Sequence, residues 1–169
     1  SDRRDEAGQL LHAMEQMRQR VRSVISDLGE MTHRHELGEI SHRMNPEAYP
    51  GEFGVMVSDT NAIVAAHISI KMQLVRLIGR YAVGDLSGDM ERLPGEKAII
   101  TETMDQVKAN LSSISRDIRE LTQAASEGDF SARGTPSDYQ YDFRTMVENL
   151  NGLMGIAEQN LADLSAFLY

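Results

Sequence analysis

Residues 83–90 read VGDLSGDM, and residues 127–134 read EGDFSARG. Each holds a Gly-Asp pair, a large apolar residue and a Ser, and Gly84 and Gly128 stand 44 positions apart. The surroundings repeat as well. YPGEF at 49–53 and LPGEK at 93–97 keep the same spacing, from Pro50 to Pro94. Carried onward, the offset takes Met56 to Ile100, Thr60 to Met104 and Ile63 to Val107, and a shift of 46 then reaches Met146, Leu150 and Leu153. The same 46 backwards from the first set gives Leu10, Met14 and Met17. Spacings of 4 and 3 belong to one face of a helix. The Gly-Asp stretches are therefore joints in a tandem array of helices.

The segments ahead of the joints repeat too. Ile70, Leu74 and Leu77 precede Leu86, and Ile114, Ile118 and Leu121 precede Phe130 at an offset of 44. Val21, Ile25 and Leu28 precede Leu37, at an offset of 49 from the Ile70 set. The pattern predicts helices near 4–34, 51–83, 96–127 and 138–168, with joints at 35–50, 84–95 and 128–137. Gly84 and Gly128 suit the left-handed residue that ends a helix. Asp138 or Ser137 suits an N-cap. Pro50 and Pro94 lie where a helix is about to start.

Composition narrows the class. Of 169 residues 41% are apolar, which can supply a core, while aromatics are 5% and Trp is absent. Ten Met among Leu, Ile, Val and Ala suit helix packing better than a sheet sandwich. The net charge of −9, with no basic block, makes nucleic acid and anionic membrane poor direct partners. Without Cys there is no disulfide framework, no thiolate metal site and no cysteine nucleophile. No apolar run approaches the roughly 18 residues of a membrane span. The opening SDRRDEAG begins in mid-pattern without Met, as expected of a piece of a longer protein.

The joints carry apolar residues: Leu37, Ile40 and Met44, then Leu86, Met90 and Leu93, then Phe130. Such residues pack back onto helices rather than into water. The joints also exceed the roughly 2–8 residues usual between antiparallel neighbours. Eleven residues can span about 36 Å at about 3.3 Å each. That is enough to run back along a half-helix of roughly 24 Å and start the next helix parallel to the last. Two parallel amphipathic helices cannot enclose a core alone. A second copy of the chain is the simplest supplier of two more.

This pattern resembles the HAMP domain, a dimeric parallel four-helix relay module of bacterial chemoreceptors and sensor kinases. Gly84-Asp85-Leu86-Ser87 and Gly128-Asp129-Phe130-Ser131 stand where the family has its helix-ending Gly and apolar connector anchors. Asp5-Glu6-Ala7-Gly8 looks like the family's Asp-Glu-x-Gly at the start of a second helix. Asn149-Leu150-Asn151-Gly152-Leu153-Met154 is similar to the end of that helix. VAAHISIKMQLV and RLPGEKAIITETMDQVKANL are similar to concatenated HAMP segments of chemoreceptors. The resemblance implies half a unit at 1–17, full units at 18–67, 68–111 and 112–155, and the start of another element at 156–169. The first full unit departs from the pattern, with His35 where Gly is expected. No first helix carries the family's common Pro, and only Asp5-Glu6 keeps its acidic pair.

Other motifs are weaker than their bland readings. His35-Glu36-Leu37 resembles the start of a kinase phosphoacceptor box, but Gly38 replaces the expected basic residue and the stretch falls in a joint. His67 and Lys71 are one residue too far apart for the His-x-x-Lys of phosphotransfer domains, and His67 aligns with Leu111 of the next unit. His33, His35 and His42 do not share a helix face and have no Cys to complete a metal site. The Met residues at helical spacing read as core filler that tolerates repacking.

The expected fold is all-α: tandem HAMP units stacked as a parallel homodimeric four-helix coiled coil with non-helical connectors. No catalytic, cofactor or metal residues are expected. The structural and signalling positions are the connector residues Leu37, Gly84, Leu86, Met90, Gly128 and Phe130, with Leu74, Leu77, Met104, Val107, Leu121, Leu150 and Leu153 in core layers. The expected partners are a second copy and covalently linked sensory and output domains. The setting is cytoplasmic, with no membrane insertion by this segment, in a parent protein that inner-membrane anchoring would suit. The alternatives are a histidine-kinase dimerisation and phosphotransfer region using His35 or His67, and a monomeric antiparallel helical binding module.

Overall fold

A computed structural model describes residues 2–168, with side-chain surroundings given for 5–167. The order is α1 (Asp2–Glu36), α2 (Glu52–Ala82), α3 (Ala98–Ser126) and α4 (Tyr141–Leu168). Each joint ends in a single 3-10 turn: Pro46–Ala48, Gly95–Lys97 or Pro136–Asp138. No strand occurs among the described residues. The chain is all-α, as the periodicity predicts. Contacts divide it into two compact units, Ser1–Val75 and Arg76–Tyr169.

The first three helices end by the same device. Gly38, Gly84 and Gly128 have φ of +91°, +83° and +83°. The amide after each glycine donates five residues back: Glu39 to the Arg34 carbonyl, Asp85 to Arg80 and Asp129 to Ala124. The glycine amides donate to His35, Tyr81 and Ala125. This is the Schellman closure of orphan helix carbonyls. It corrects the reading of the first joint. The glycine expected at His35 is Gly38, and the first joint is displaced by 46 from the second rather than by 49. Ile40 then shares the register of Leu86 and Phe130, while Leu37 falls at that of Val83 and Glu127. His35 lies in the last turn of α1 instead of in the joint.

The start of α4 is also corrected. Ser137 and Asp138 do not cap it; they belong to the 3-10 turn Pro136–Asp138, and the helix begins at Tyr141. Pro136 presets this turn as Pro46 presets the first. The chain passes through left-handed backbone at Gly51 (φ +66°), just ahead of α2, and at Tyr141 (φ +50°), the first residue of α4; Gly95, at φ +58°, opens the 3-10 turn before α3. Tyr141 is 87% exposed, so packing does not offset its strain. A left-handed non-glycine costs roughly 1–2 kcal/mol, and glycine's extra unfolded freedom returns part of that. Tyr141→Gly should therefore raise the melting temperature by about 2–4 °C in a thermal melt. A lower melting temperature would contradict the strain.

In the first unit Val24, Met31, Met44, Tyr49 and Val57 form a buried cluster, with Phe53 and Val64 packed on it. Ile114, Tyr139 and Val147 form another in the second unit, with Phe143 against it. Val24 and Ile114, Tyr49 and Tyr139, Phe53 and Phe143, and Val57 and Val147 are each 90 residues apart. One core is thus built twice. The joints set its direction. The Tyr49 hydroxyl reaches back to Asp27, nine residues before the end of α1, and Met44 is hydrogen-bonded to Asn61 on α2. Leu28, Met31 and His35 on α1 line one groove with Thr60 and Val64 on α2. Residue numbers rise together on the two helices, so they run parallel, as the joint length predicts.

By length and composition α2 is apolar enough to cross a membrane. This differs from the expectation of no such segment. His67 and Lys71 interrupt its apolar residues in the sequence, but the helix remains apolar on average.

Candidate functional site

The joints and the helix faces they cover are the candidate site. Two of the three joints are tied by the same side chains. Asn61 Nδ2 donates to the Met44 carbonyl at 2.8 Å, and the Met44 amide donates to Asn61 Oδ1 at 3.2 Å. Asn151 repeats this with Gly134, at 2.9 and 2.8 Å. The Tyr49 hydroxyl donates to Asp27 Oδ2 at 2.5 Å, and Tyr139 to Asp117 Oδ2 at 2.6 Å. Arg43 donates to the carbonyls of Ile40 and His42, and Arg133 to those of Phe130 and Ala132. All seven pairs of equivalents are 90 apart.

The middle joint is built differently. It is two residues shorter: 17 positions separate Gly84 from the buried Thr101, against 19 from Gly38 to Val57 and from Gly128 to Val147. Leu93 takes the place of the tyrosines, Gln73 that of the aspartates, and Asp105 that of the asparagines. Its ties are two hydrogen bonds to the Gly88 carbonyl, a buried one from the Tyr81 hydroxyl and one from Lys108 Nζ at 3.2 Å, and several ion pairs. Arg80 meets Asp85 at 2.8 Å, Lys108 meets Asp89 at 2.6 Å, and Arg92 pairs with Asp105.

The electrostatics follow this geometry. The Arg80 guanidinium, with the Ser87 hydroxyl and amide, holds the Asp85 carboxyl far below the usual carboxylate range. The Ser131 hydroxyl and amide lower that of Asp129. Burial, then Asp117, pushes the Tyr139 phenol up to about 12. Burial, then Asp27, raises that of Tyr49.

The positions expected from sequence fall into two groups. Met90, Leu77, Met104 and Leu121 are buried within the chain, and Leu74, Leu86, Phe130 and Leu150 are half-buried. Leu37, Val107 and Leu153 are exposed, as are Leu10, Met14, Met17, Ile63 and Ile118. His35 is half-buried, with its Nε2 3.0 Å from the His42 carbonyl. Tyr81 plays the same part toward Gly88. His67 is exposed on α2. The sequence reading assigned no role to Tyr139, Asp27, Asp117 or Asn61, and met Tyr49 and Asn151 only as members of repeated or family-like stretches. Their spacing of 90 is the signal that locates them.

Helices joined in parallel through glycine-ended, apolar-anchored connectors define a HAMP architecture. Residues 70–112 match the family described as HAMP N-terminal domain 3, and residues 1–23 match the HAMP domain family. The chain belongs to the HAMP family, as a segment of the kind that chemoreceptors carry. It is 32% identical over 143 residues to the methyl-accepting chemotaxis protein McpB of Pseudomonas aeruginosa. The match covers 85% of this chain and 19% of that relative.

Proposed function

We propose that the chain is a signal relay of a chemoreceptor, carrying conformational change from a sensory input to an output domain, neither of which lies within it. The similarity to a chemotaxis protein supports the setting, and the single carrying observation is the parallel pair of helices with an open apolar stripe. Leu10, Met14, Met17, Val21, Ile25 and Leu28 recur along α1 and are 38–64% exposed, as expected where one chain supplies two helices of each layer. Exposed apolar faces of this extent mark interaction surfaces. A second copy in the same direction closes each layer as a four-helix bundle. The units proposed are 18–67, 68–111 and 112–155, with 1–17 the second helix of a preceding unit and 156–169 the start of a further element. Gly84, Leu86, Met90, Gly128 and Phe130 fasten the connectors in this reading, and Leu37, exposed ahead of the left-handed turn at Gly38, does not. The seven positions from Leu74 to Leu153 form the layers. Two packings of such a bundle that differ by a few kcal/mol let an input bias their populations. The setting is cytoplasmic.

Light scattering should give a molar mass twice the chain's 18.8 kDa. Single cysteines placed at Leu10 and at Ile63 should each cross-link to the same position in the other copy. A single-chain mass, or no cross-linking at either position, would overturn the parallel relay.

A further inference from the structure

The three joints differ in what kind of force holds them. In the first and third, uncharged asparagine amides satisfy the joint backbone, and a buried tyrosine is locked to a carboxylate. Tyr49 and Tyr139 are each 6% exposed. Each of these joints also carries one exposed ion pair, Arg34–Glu39 or Arg133–Glu158, beside those ties. The middle joint has neither the asparagine nor the tyrosine tie. Besides the buried Met90, its polar ties to α3 are all charged: Lys108 donates to the Gly88 carbonyl at 3.2 Å and pairs with Asp89, and Arg92 pairs with Asp105. The side chains of Asp89 and Arg92 are 69% and 72% exposed.

Salt acts unequally on such contacts. The screening length falls from about 10 Å at about 0.1 M salt to about 3 Å at about 1 M, which weakens exposed pairs and leaves buried hydrogen bonds nearly untouched. We propose that the middle joint, residues 85–93, is an ionic-strength-sensitive element, and that the first and third joints are salt-insensitive. The sensitivity follows from the substitution of Leu93, Gln73 and Asp105 for the tyrosine, aspartate and asparagine of the other two joints. Charge in the surroundings then loosens one connector selectively. This goes beyond the relay reading and does not depend on it, because the joint's opening is measured directly.

Amide hydrogen exchange of the chain, followed by mass spectrometry at about 0.1 M and about 1 M NaCl, reads each joint separately. Peptides covering 85–93 should exchange roughly fivefold faster at high salt, while those covering 39–45 and 129–135 change less than about twofold. The outer joints thus serve as an internal reference for general effects of salt. In a D89N/R92Q variant the middle joint should exchange fast at both salt concentrations and lose its salt response, with helix content by circular dichroism unchanged. A middle joint indifferent to salt in the parent chain would overturn the proposal, and so would three joints that respond alike. A D89N/R92Q variant that keeps the parent's salt response would overturn it as well.

Discussion

Asn151→Leu should destabilise the chain by about 2–4 kcal/mol. The side chain makes two hydrogen bonds to one residue, accepting from the Gly134 amide and donating to the Gly134 carbonyl. Leucine removes both and leaves a half-buried peptide group with no partner. Each lost bond costs roughly 1 kcal/mol, and the stranded donor and acceptor add to that. Crowding limits repair. A Cβ on Gly134 would lie 2.8 Å from Val147 Cγ1, so the joint backbone sits directly against the fully buried valine. Asn61→Leu should cost a similar amount, because Met44 is held in the same way. Asn149, exposed two positions away, provides the control. Asn149→Leu should change stability by no more than about 0.5 kcal/mol. Urea melts followed by circular dichroism separate the cases, and equal midpoints for the two leucine variants at 149 and 151 would remove the structural role assigned to Asn151.

The helices were legible in the sequence because their apolar spacing is regular over several turns. Their ends at Gly84 and Gly128 were legible because glycine alone enters left-handed backbone without strain. The first joint was misread for a physical reason. Gly38-Glu39-Ile40-Ser41 is the same motif as Gly84-Asp85-Leu86-Ser87, with Glu for Asp. Asp85 and Asp129 accept from the amide and hydroxyl two residues on, and no such bond forms at Glu39 among the described contacts. Leu37 stood out as the nearest apolar residue, yet it lies before the left-handed turn and is 66% exposed. The start of α4 was misread because Ser137 and Asp138 are good capping residues in isolation. The Pro136 turn takes them up first, and the helix waits for Tyr141.

The ties within the joints were hidden by the repeat itself. A search at 44–46 residues compares each joint with the middle one, where Leu93, Gln73 and Asp105 break the pattern. Only the comparison across two units, at 90, pairs Tyr49 with Tyr139 and Asn61 with Asn151. Exposure of Val107 and Leu153 has a different origin. Periodicity identifies an apolar face but does not say which molecule covers it. In the relay reading that cover is the second copy.

Alkali should destabilise the chain through Tyr139. Its ring is 6% exposed, and its hydroxyl donates to Asp117 Oδ2 at 2.6 Å. Burial and the neighbouring carboxylate both disfavour phenolate, which pushes the group up to about 12. An unfolded tyrosine ionises near about 10. The fold therefore favours the protonated phenol. Its contribution is fully present below about pH 10 and is lost as the pH rises toward about 12, where the unfolded chain has released a proton that the folded chain still holds. Holding the phenol at about 12 rather than about 10 corresponds to about 2–3 kcal/mol. Tyr49 and Tyr81 are also raised by burial and steepen the loss in parent and variant alike. Comparison with Tyr139→Phe isolates the one group. At about pH 8 the variant should be less stable by about 1–2 kcal/mol, since Asp117 loses a donor but keeps Arg116 at 3.2 Å. Between about pH 10 and 12 its stability should fall less steeply than the parent's, and the two curves should converge or cross. Urea melts across this range measure the difference, and phenolate absorbance should lose its latest-titrating component in the variant. Parallel stability curves over the whole range would show that Tyr139 is not held protonated by its place against Asp117.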